Sequence, residues 1–407
     1  MLQEECKEKI LSEEYRDFMM RDTGALGKNF PLENGCRIPL KYGFELFYID
    51  QSEDRKKSLA DYPYTMVPKC YTTLDMAAIQ QAGIAAVQNI SGLELSGEGV
   101  LVGIIDTGIN YLDPIFRNLD GSTRIQRIWD QEEQSGTAPR EIGYGSEYTK
   151  EQINQAILSE NPKETVPSFD TDGHGTFVAS VACGGANPEN LFIGAAPEAE
   201  MVIVKLKEAK EYLREYYFVD RDAGCYQEND LVAAVFYLQK VQEELKRPLV
   251  ICLAVGTSFG GHGGYSILSE YLQNVAASEG IGIVTGSGNE ADKRHHYLGI
   301  LEQENNLPVE INVGNNTRGC VMELWTELPN LLALSIASPT GQTVGPISLK
   351  RGIGEYVFVF EQTRVIFNYR VLVETTGAQL AFFQFDRPGS GIWKIIPETL
   401  ELGNGIF

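Results

Sequence analysis

Residues 99–106 read "GVLVGIID", an aliphatic run without polar alternation, and several such runs in one chain leave few possible folds. A strand with one wet face alternates apolar and polar residues. An unbroken run needs cover on both faces, as in the centre of a parallel sheet. "EMVIVKL", "PLVICLAVG" and "IGIVTGSGN" repeat the pattern. Between them lie helix-period segments: "HGTFVASVACGG", "ENDLVAAVFYLQKVQEEL" and "YSILSEYLQNVAASEG", the last stopping at Gly280. Strands alternating with helices predict an α/β fold, a doubly wound and mostly parallel sheet with helical crossovers.

The flanks have a different texture. Residues 1–72 combine a helical pattern, "EECKEKILSEEYRDFMMRD", with short strand-like runs such as "GFELFYID", and predict a separate N-terminal α/β segment. "DYPYTMVPKC" reads as a connector, and "TTLDMAAIQQAGIAAVQNI" as a capped, Ala-rich helix. Beyond residue 304, "VEINV", "GCVMELWTE", "NLLALSIAS", "EYVFVFEQT", "VIFNYRVLVE" and "AQLAFFQFD" are short strands split by turn residues. They predict an all-β sandwich. The expected division is 1–72, 73–304 and 305–407.

Composition excludes several classes. A net charge of -22 argues against binding a nucleic-acid backbone, which needs a dense field of Lys and Arg. The amino terminus "MLQEECKEKI" has no apolar core and is not a signal peptide, and "PLVICLAVG" is about half a membrane span. Cysteines 6, 36, 70, 183, 225, 252 and 320 are scattered without a Cys-x-x-Cys pair. They suit free thiols in a reducing, cytoplasmic setting rather than a disulfide framework or zinc site.

Open α/β sheets bind ligands at the carboxyl ends of their strands. Asp106 ends "GVLVGIID" and is followed by Thr107 and Gly108, which allow a sharp turn. His174 opens a helix in "DGHGT", and Asn289 follows a strand in "VTGSGNE". An acid that orients an imidazole, the imidazole as general base, and an amide donor for an oxyanion are three of the four parts of a serine-protease site.

In this order and with these flanks, the motifs resemble those of the subtilisin-like serine proteases. "GVLVGIIDTGIN", "DGHGTFVAS", "GAAPEAEMVIVKL" and "VTGSGNEA" carry the resemblance over residues 97–295. "LSGEGVLVGIIDTGINYLDPIF", "DGSTRIQRIWDQ" and "GTSFGGHGGYS" narrow it to clostridial Csp-type germination proteases and related subtilases of anaerobes. The resemblance implies a serine endopeptidase acting on protein or peptide, with no organic cofactor. It also implies an N-terminal prodomain as an internal partner, a jelly-roll insertion, and a cytoplasmic or spore-associated setting. Ala254, Val255 and Gly256 would form the edge that pairs with an extended substrate, and Gly286, Ser287 and Gly288 the floor of its pocket.

Ser258 in "GTSFGGHGG" is the tempting nucleophile. The family order is Asp, His, Asn, Ser, whereas Ser258 precedes Asn289 and is followed by glycines that start a helix poorly. It reads as a pocket-loop serine. No Gly-Thr-Ser follows Asn289, so the 407 residues are expected to stop before the nucleophile and to form no acyl-enzyme.

Blander readings stand beside these. The tripeptide "DTG" also occurs in aspartic proteases, which need a second such aspartate. His295 and His296 are adjacent and ill placed to share a metal, and His262 reads as a loop residue near the cleft. A calcium site in "GGANPENLFIG" would have only Asn187, Glu189 and Asn190, so no metal is expected. "DQSEDRKK" reads as a solvated loop. The rival to an enzyme is a non-catalytic pseudoprotease that keeps the cleft for binding, and a weaker third reading has Ser258 catalysing in an altered arrangement.

Overall fold

A computed structural model describes residues 2–21, 35–54, 58–73, 84–88, 95–187, 192–291, 293–301, 308–347, 352–373, 376–401 and 405–406. The helix Leu2–Leu11 precedes β1 (Tyr15–Arg21), β2 (Cys36–Pro39) and β3 (Phe44–Asp50), an antiparallel sheet in the order β1-β3-β2. The helical pattern expected through "YRDFMMRD" therefore ends at Leu11. Met19 joins the core beneath the large sheet, while Phe18 and Met20 join a second cluster on the other side. Successive side chains must point to opposite faces, as only a strand permits.

Two further expectations fail in this segment. Cys6 and Cys36 form a disulfide, because the helix packs over β2 and brings their Cα atoms to 5.4 Å. The supposed loop after Asp50 begins with a helical turn, Gln51–Asp54, and residues 55–57 lie outside those described. β4 (Cys70–Thr73) follows, so Thr72 and Thr73 are in a strand rather than capping a helix. Of the helix expected next, only Ile84–Gln88 lies among the described residues.

The large sheet contains β5 (Leu101–Asp106), β6 (Ile125–Asp130), β7 (Ser146–Thr149) and β8 (Glu200–Lys205). β9 (Tyr226–Gln227) lies outside it, and β10 (Leu249–Leu253), β11 (Val255–Gly256) and β12 (Ile281–Thr285) complete the series. The order is β12-β10-β5-β8-β6-β7, parallel throughout except for β7. All six residues of β5 are buried. On one face Leu101, Ile105 and Ile251 pack with Leu231, Val235 and Leu238 of the helix Glu228–Leu245. On the other, Val102, Ile104 and Ile203 pack with Val178, Ala179 and Cys183 of the helix His174–Cys183. Each such side chain stabilises the fold by about 1.5–3 kcal/mol in transfer terms.

The run "PLVICLAVG" does not continue as one strand. It breaks at Ala254, and β11 leaves the large sheet to pair antiparallel with β4, Val255 opposite Thr73 and Gly256 opposite Thr72. β4 also pairs with β9, giving a small sheet β11-β4-β9. β12 is an edge strand, with Val284 57 % exposed, although its composition predicts burial. Among the described residues no strand pairs with its outer edge.

The C-terminal strands form two four-stranded antiparallel sheets. One holds Val309–Val313, Gly391–Glu401, Leu331–Ala337 and Thr343–Ile347, and the other Gly319–Glu327, Ala378–Asp386, Thr363–Arg370 and Ile353–Phe358. Leu334, Ile336 and Trp393 from the first meet Phe367, Phe383 and Phe385 from the second in a shared core.

Polar junctions tie these parts together. Asp17 on β1 is fully buried, 2.5 Å from Lys210 Nζ, and accepts from Gln227 Nε2 at 2.7 Å and Asn229 Nδ2 at 3.1 Å. Glu323 of the sandwich accepts from the Tyr64 hydroxyl at 2.8 Å, Gly260 N at 2.8 Å and Trp325 Nε1 at 2.9 Å. No helix among the described residues is long and apolar enough to cross a membrane.

Candidate active site

β5 ends at Asp106, whose side chain is completely buried. The chain must turn there, and Gly108 adopts φ 121°, which a side chain would resist. The helix beginning at His174 then comes so close that a Cβ on Gly175 would lie 2.2 Å from the Gly108 carbonyl oxygen and 3.2 Å from Asp106 Cβ. Glycine at 175 is what lets the first helical turn rest on the end of β5.

The result is a direct bond: His174 Nδ1 lies 2.7 Å from Asp106 Oδ1. The same oxygen accepts from Thr107 N at 2.7 Å, while Oδ2 is buried without a hydrogen-bond partner among the described residues. An aspartate at Nδ1 selects the neutral tautomer protonated there and makes Nε2 the basic nitrogen. The His174 side chain is 15 % exposed, against none for Asp106, so the pair runs from the interior to the surface.

A second carboxylate, not singled out in the sequence, holds the turn. Asp170 accepts from Thr107 Oγ1 at 2.8 Å, Gly173 N at 2.8 Å, Thr176 N at 2.8 Å and Thr176 Oγ1 at 2.7 Å. Thr107 Oγ1 in turn accepts from Gly175 N at 2.8 Å. Burial disfavours the Asp170 anion, but these bonds outweigh it and hold its pKa below the ordinary aspartate value. The readable signal was an acid shortly before the histidine in "FDTDGHGT".

The other singled-out residues extend from the same end of the sheet. Leu253 lies opposite Ile105 and Thr285, so Ala254 and Gly286 continue β10 and β12 at the level of Asp106. Gly286 N donates to Leu253 O at 3.3 Å. Gly286, Ser287 and Gly288 are exposed, and Asn289 is half-buried just beyond Gly288, which has φ 96°. Ala254 and Val255 are buried, and the edge of Val255 and Gly256 is already paired with the chain's own Thr73 and Thr72.

Ser258 lies in the loop that follows β11. The loop there is anchored by Phe259 against Tyr217, ring centroids 4.7 Å apart, and by Gly260 N on Glu323. Cys252 is closer to Asp106, but burial and the aspartate charge push its thiol up to about 11, which keeps it protonated at neutral pH.

The other three histidines, His262, His295 and His296, lie near one another. His262 has φ 51° and packs at a tilt against His296, ring centroids 4.8 Å apart, while His295 Nδ1 lies 2.5 Å from Glu290 Oε2. Burial first, then His296, lowers the His262 pKa. Among the described residues no three His, Cys, Asp or Glu side chains converge on one point; Glu189 and Asn190 lie outside them.

Comparison with known proteins identifies the family. The Peptidase S8, Subtilase family model matches residues 97–318, more than half of the chain. The chain is 33% identical over 102 residues to Subtilisin-like protease SBT2.2 of Arabidopsis thaliana, covering 23% of this chain and 12% of that protein. It is 26% identical over 218 residues to Subtilisin of Bacillus sp. (strain TA39), covering 53% of this chain and 40% of the relative. Among solved structures it is similar to the Clostridium perfringens CspB protease, with TM-score 0.67 and 28% identity over 79% of this chain and 64% of that one. The chain thus spans less than half the length of these curated relatives.

Proposed function

The chain belongs to the Subtilase family, and from that premise we propose that it carries the acid–base half of a serine endopeptidase site acting on protein or peptide. The observation that carries this reading is the 2.7 Å bond between Asp106 and His174 at the carboxyl end of a parallel sheet. His174 Nε2 takes the proton from a serine hydroxyl as its Oγ attacks the scissile carbonyl carbon, and Asp106 stabilises the imidazolium that forms. The Asn289 side-chain amide donates to the oxyanion. The imidazolium returns the proton to the leaving amine as the peptide C–N bond breaks. A water activated by the same histidine then releases the acyl group.

The nucleophile in this reading is not Ser258 but a serine on a segment that docks against β12. The edge of that strand, unpaired among the described residues, and the exposed Val284 support such a partner, since parallel sheets are ordinarily covered. Residues 1–72 act as the prodomain, with β4 lying where an extended substrate would pair with β11. The pairing of Thr72 and Thr73 supports that role. Residues 73–304 then form the catalytic part and 305–407 a jelly-roll insertion, and the work is done without a cofactor.

The test is fluorophosphonate labelling, with the modified residue located by mass spectrometry. The 407-residue chain is expected to take no label. The protein as made in its own cell is expected to be labelled on a serine outside these residues, with the label lost in His174→Ala. Label on Ser258 that depends on His174 would overturn the assignment. A folded native protein that never labels would favour the pseudoprotease.

A further inference from the structure

We infer that Cys70 and Cys225 are a redox pair whose disulfide would fasten β4 to the body of the protein. This inference rests on the reading of β4 as the occupant of the substrate edge.

The geometry is specific. In the antiparallel pairing of β4 with β9, Cys70 faces Gln227 and Tyr71 faces Tyr226. Cys225, just before β9 and two positions from Gln227, lies diagonal to Cys70 across this pairing. Both are free and buried, 8% and 3% exposed, in one cluster with Ala209, Leu213 and Tyr217. Their thiols share a hydrogen bond. Cys225 follows Gly224 and precedes β9.

The pair is chemically asymmetric. The hydrogen bond from Cys70 outweighs the burial of Cys225, with help from the Arg214 guanidinium, and lowers the Cys225 pKa. The same bond and burial raise that of Cys70. Of the two, Cys225 is the one favoured to ionise and attack, with Cys70 left to resolve.

The proposed oxidant is a hydroperoxide, the smallest class able to take two electrons from a thiol pair. The Cys225 thiolate attacks one peroxide oxygen; an S–O bond forms, the O–O bond breaks, and the departing oxygen leaves as water after protonation. Cys70 sulfur then attacks the sulfenic sulfur, the S–S bond forms, the S–O bond breaks, and a second water leaves. Two thiols and one hydrogen peroxide become one disulfide and two waters, with two electrons passing from sulfur to oxygen.

The consequence concerns access. Reduced, β4 is held by non-covalent pairing and can leave the edge once the chain beyond it is cut. Oxidised, residues 1–73 stay attached whatever happens to the connection after Thr73. The state of two thiols would then decide whether the Val255–Gly256 edge can be vacated.

The test uses the whole chain treated with hydrogen peroxide, alkylated under denaturing conditions and digested without reduction. The expected product is a peptide pair joining Cys70 to Cys225, about 2 Da lighter than the two thiol peptides. It should be lost in both Cys70→Ser and Cys225→Ser. With a specific protease site placed between residues 74 and 83 and then cut, the N-terminal fragment should remain attached on a non-reducing denaturing gel and leave on reduction. Failure to form the bond while Cys252 or Cys320 is oxidised would overturn the inference and leave the serine-peptidase reading untouched. Because the cross-link is read in the unsubstituted chain, an unfolded variant cannot obscure the answer. A Cys70–Cys225 bond in a chain labelled on Ser258 would instead overturn the site assignment alone.

Discussion

His174 Nδ1 and Asp106 Oδ1 lie 2.7 Å apart although 68 residues separate them in the chain. One residue ends a strand and the other begins a helix, so their meeting depends on how that helix docks on the sheet. Asp106→Asn keeps the shape but presents an amide to Nδ1, which favours the wrong tautomer. On the proposed reading, kcat for peptide hydrolysis is expected to fall by on the order of 10⁴ with KM little changed. A loss under tenfold would mean that Asp106 does not orient the base.

Gly175 permits the docking. In Gly175→Ala the new methyl would sit 2.2 Å from the Gly108 carbonyl oxygen, a backbone atom that cannot rotate away. The helix must shift, at a cost of about 3 kcal/mol or more, readable as a lower urea midpoint at constant slope. The Asp106–His174 bond should lengthen with it, and loss of the downfield Nδ1 proton resonance would report that. An unchanged midpoint would contradict the close approach.

Asp170 gives a pH-dependent prediction with a definite sign. Its folded-state pKa is depressed, so its carboxylate stabilises the fold above the unfolded value of about 3.9. That contribution is lost as pH falls through the lower folded value. Asp170→Ala should be less stable at pH 7 by about 1–3 kcal/mol, through orphaned donors at Gly173, Thr176 and Thr107. The gap between variant and wild type should narrow steadily below pH 4. A gap independent of pH would assign the loss to packing instead.

Glu323 has the opposite sign. Burial raises its pKa in spite of the bonds from Gly260, Trp325 and Tyr64 that oppose the rise. The native state then holds a proton that the unfolded chain has lost above about 4.3. Wild-type stability should decline as pH rises from there through the raised folded value, and Glu323→Gln should remove that slope. Thermal melts of both proteins across the acid range would test this; parallel curves would refute it.

Much of this protein was legible in its sequence for a local reason. A strand buried on both faces must be aliphatic along its length, so β5, β8 and β10 stand out, and the helix Glu228–Leu245 carries its period in the same way. Asp106, His174 and Asn289 could be found because each sits in a short segment whose backbone needs glycine at fixed offsets.

Tertiary structure decided what depends on residues far apart in the chain. The segment Tyr15–Arg21 is a strand because two cores claim its alternate side chains, and no neighbouring residue announces that. Cys6 meets Cys36, Asp17 meets Lys210 and Glu323 meets Gly260 for the same reason. β12 has the composition of a buried strand yet lies at an edge, since strand order is a property of the assembled sheet. That β4 lies along Val255 and Gly256 is likewise invisible in "CYTT", because backbone hydrogen bonding joins strands with little regard to side chains and any extended segment that reaches the edge can form it.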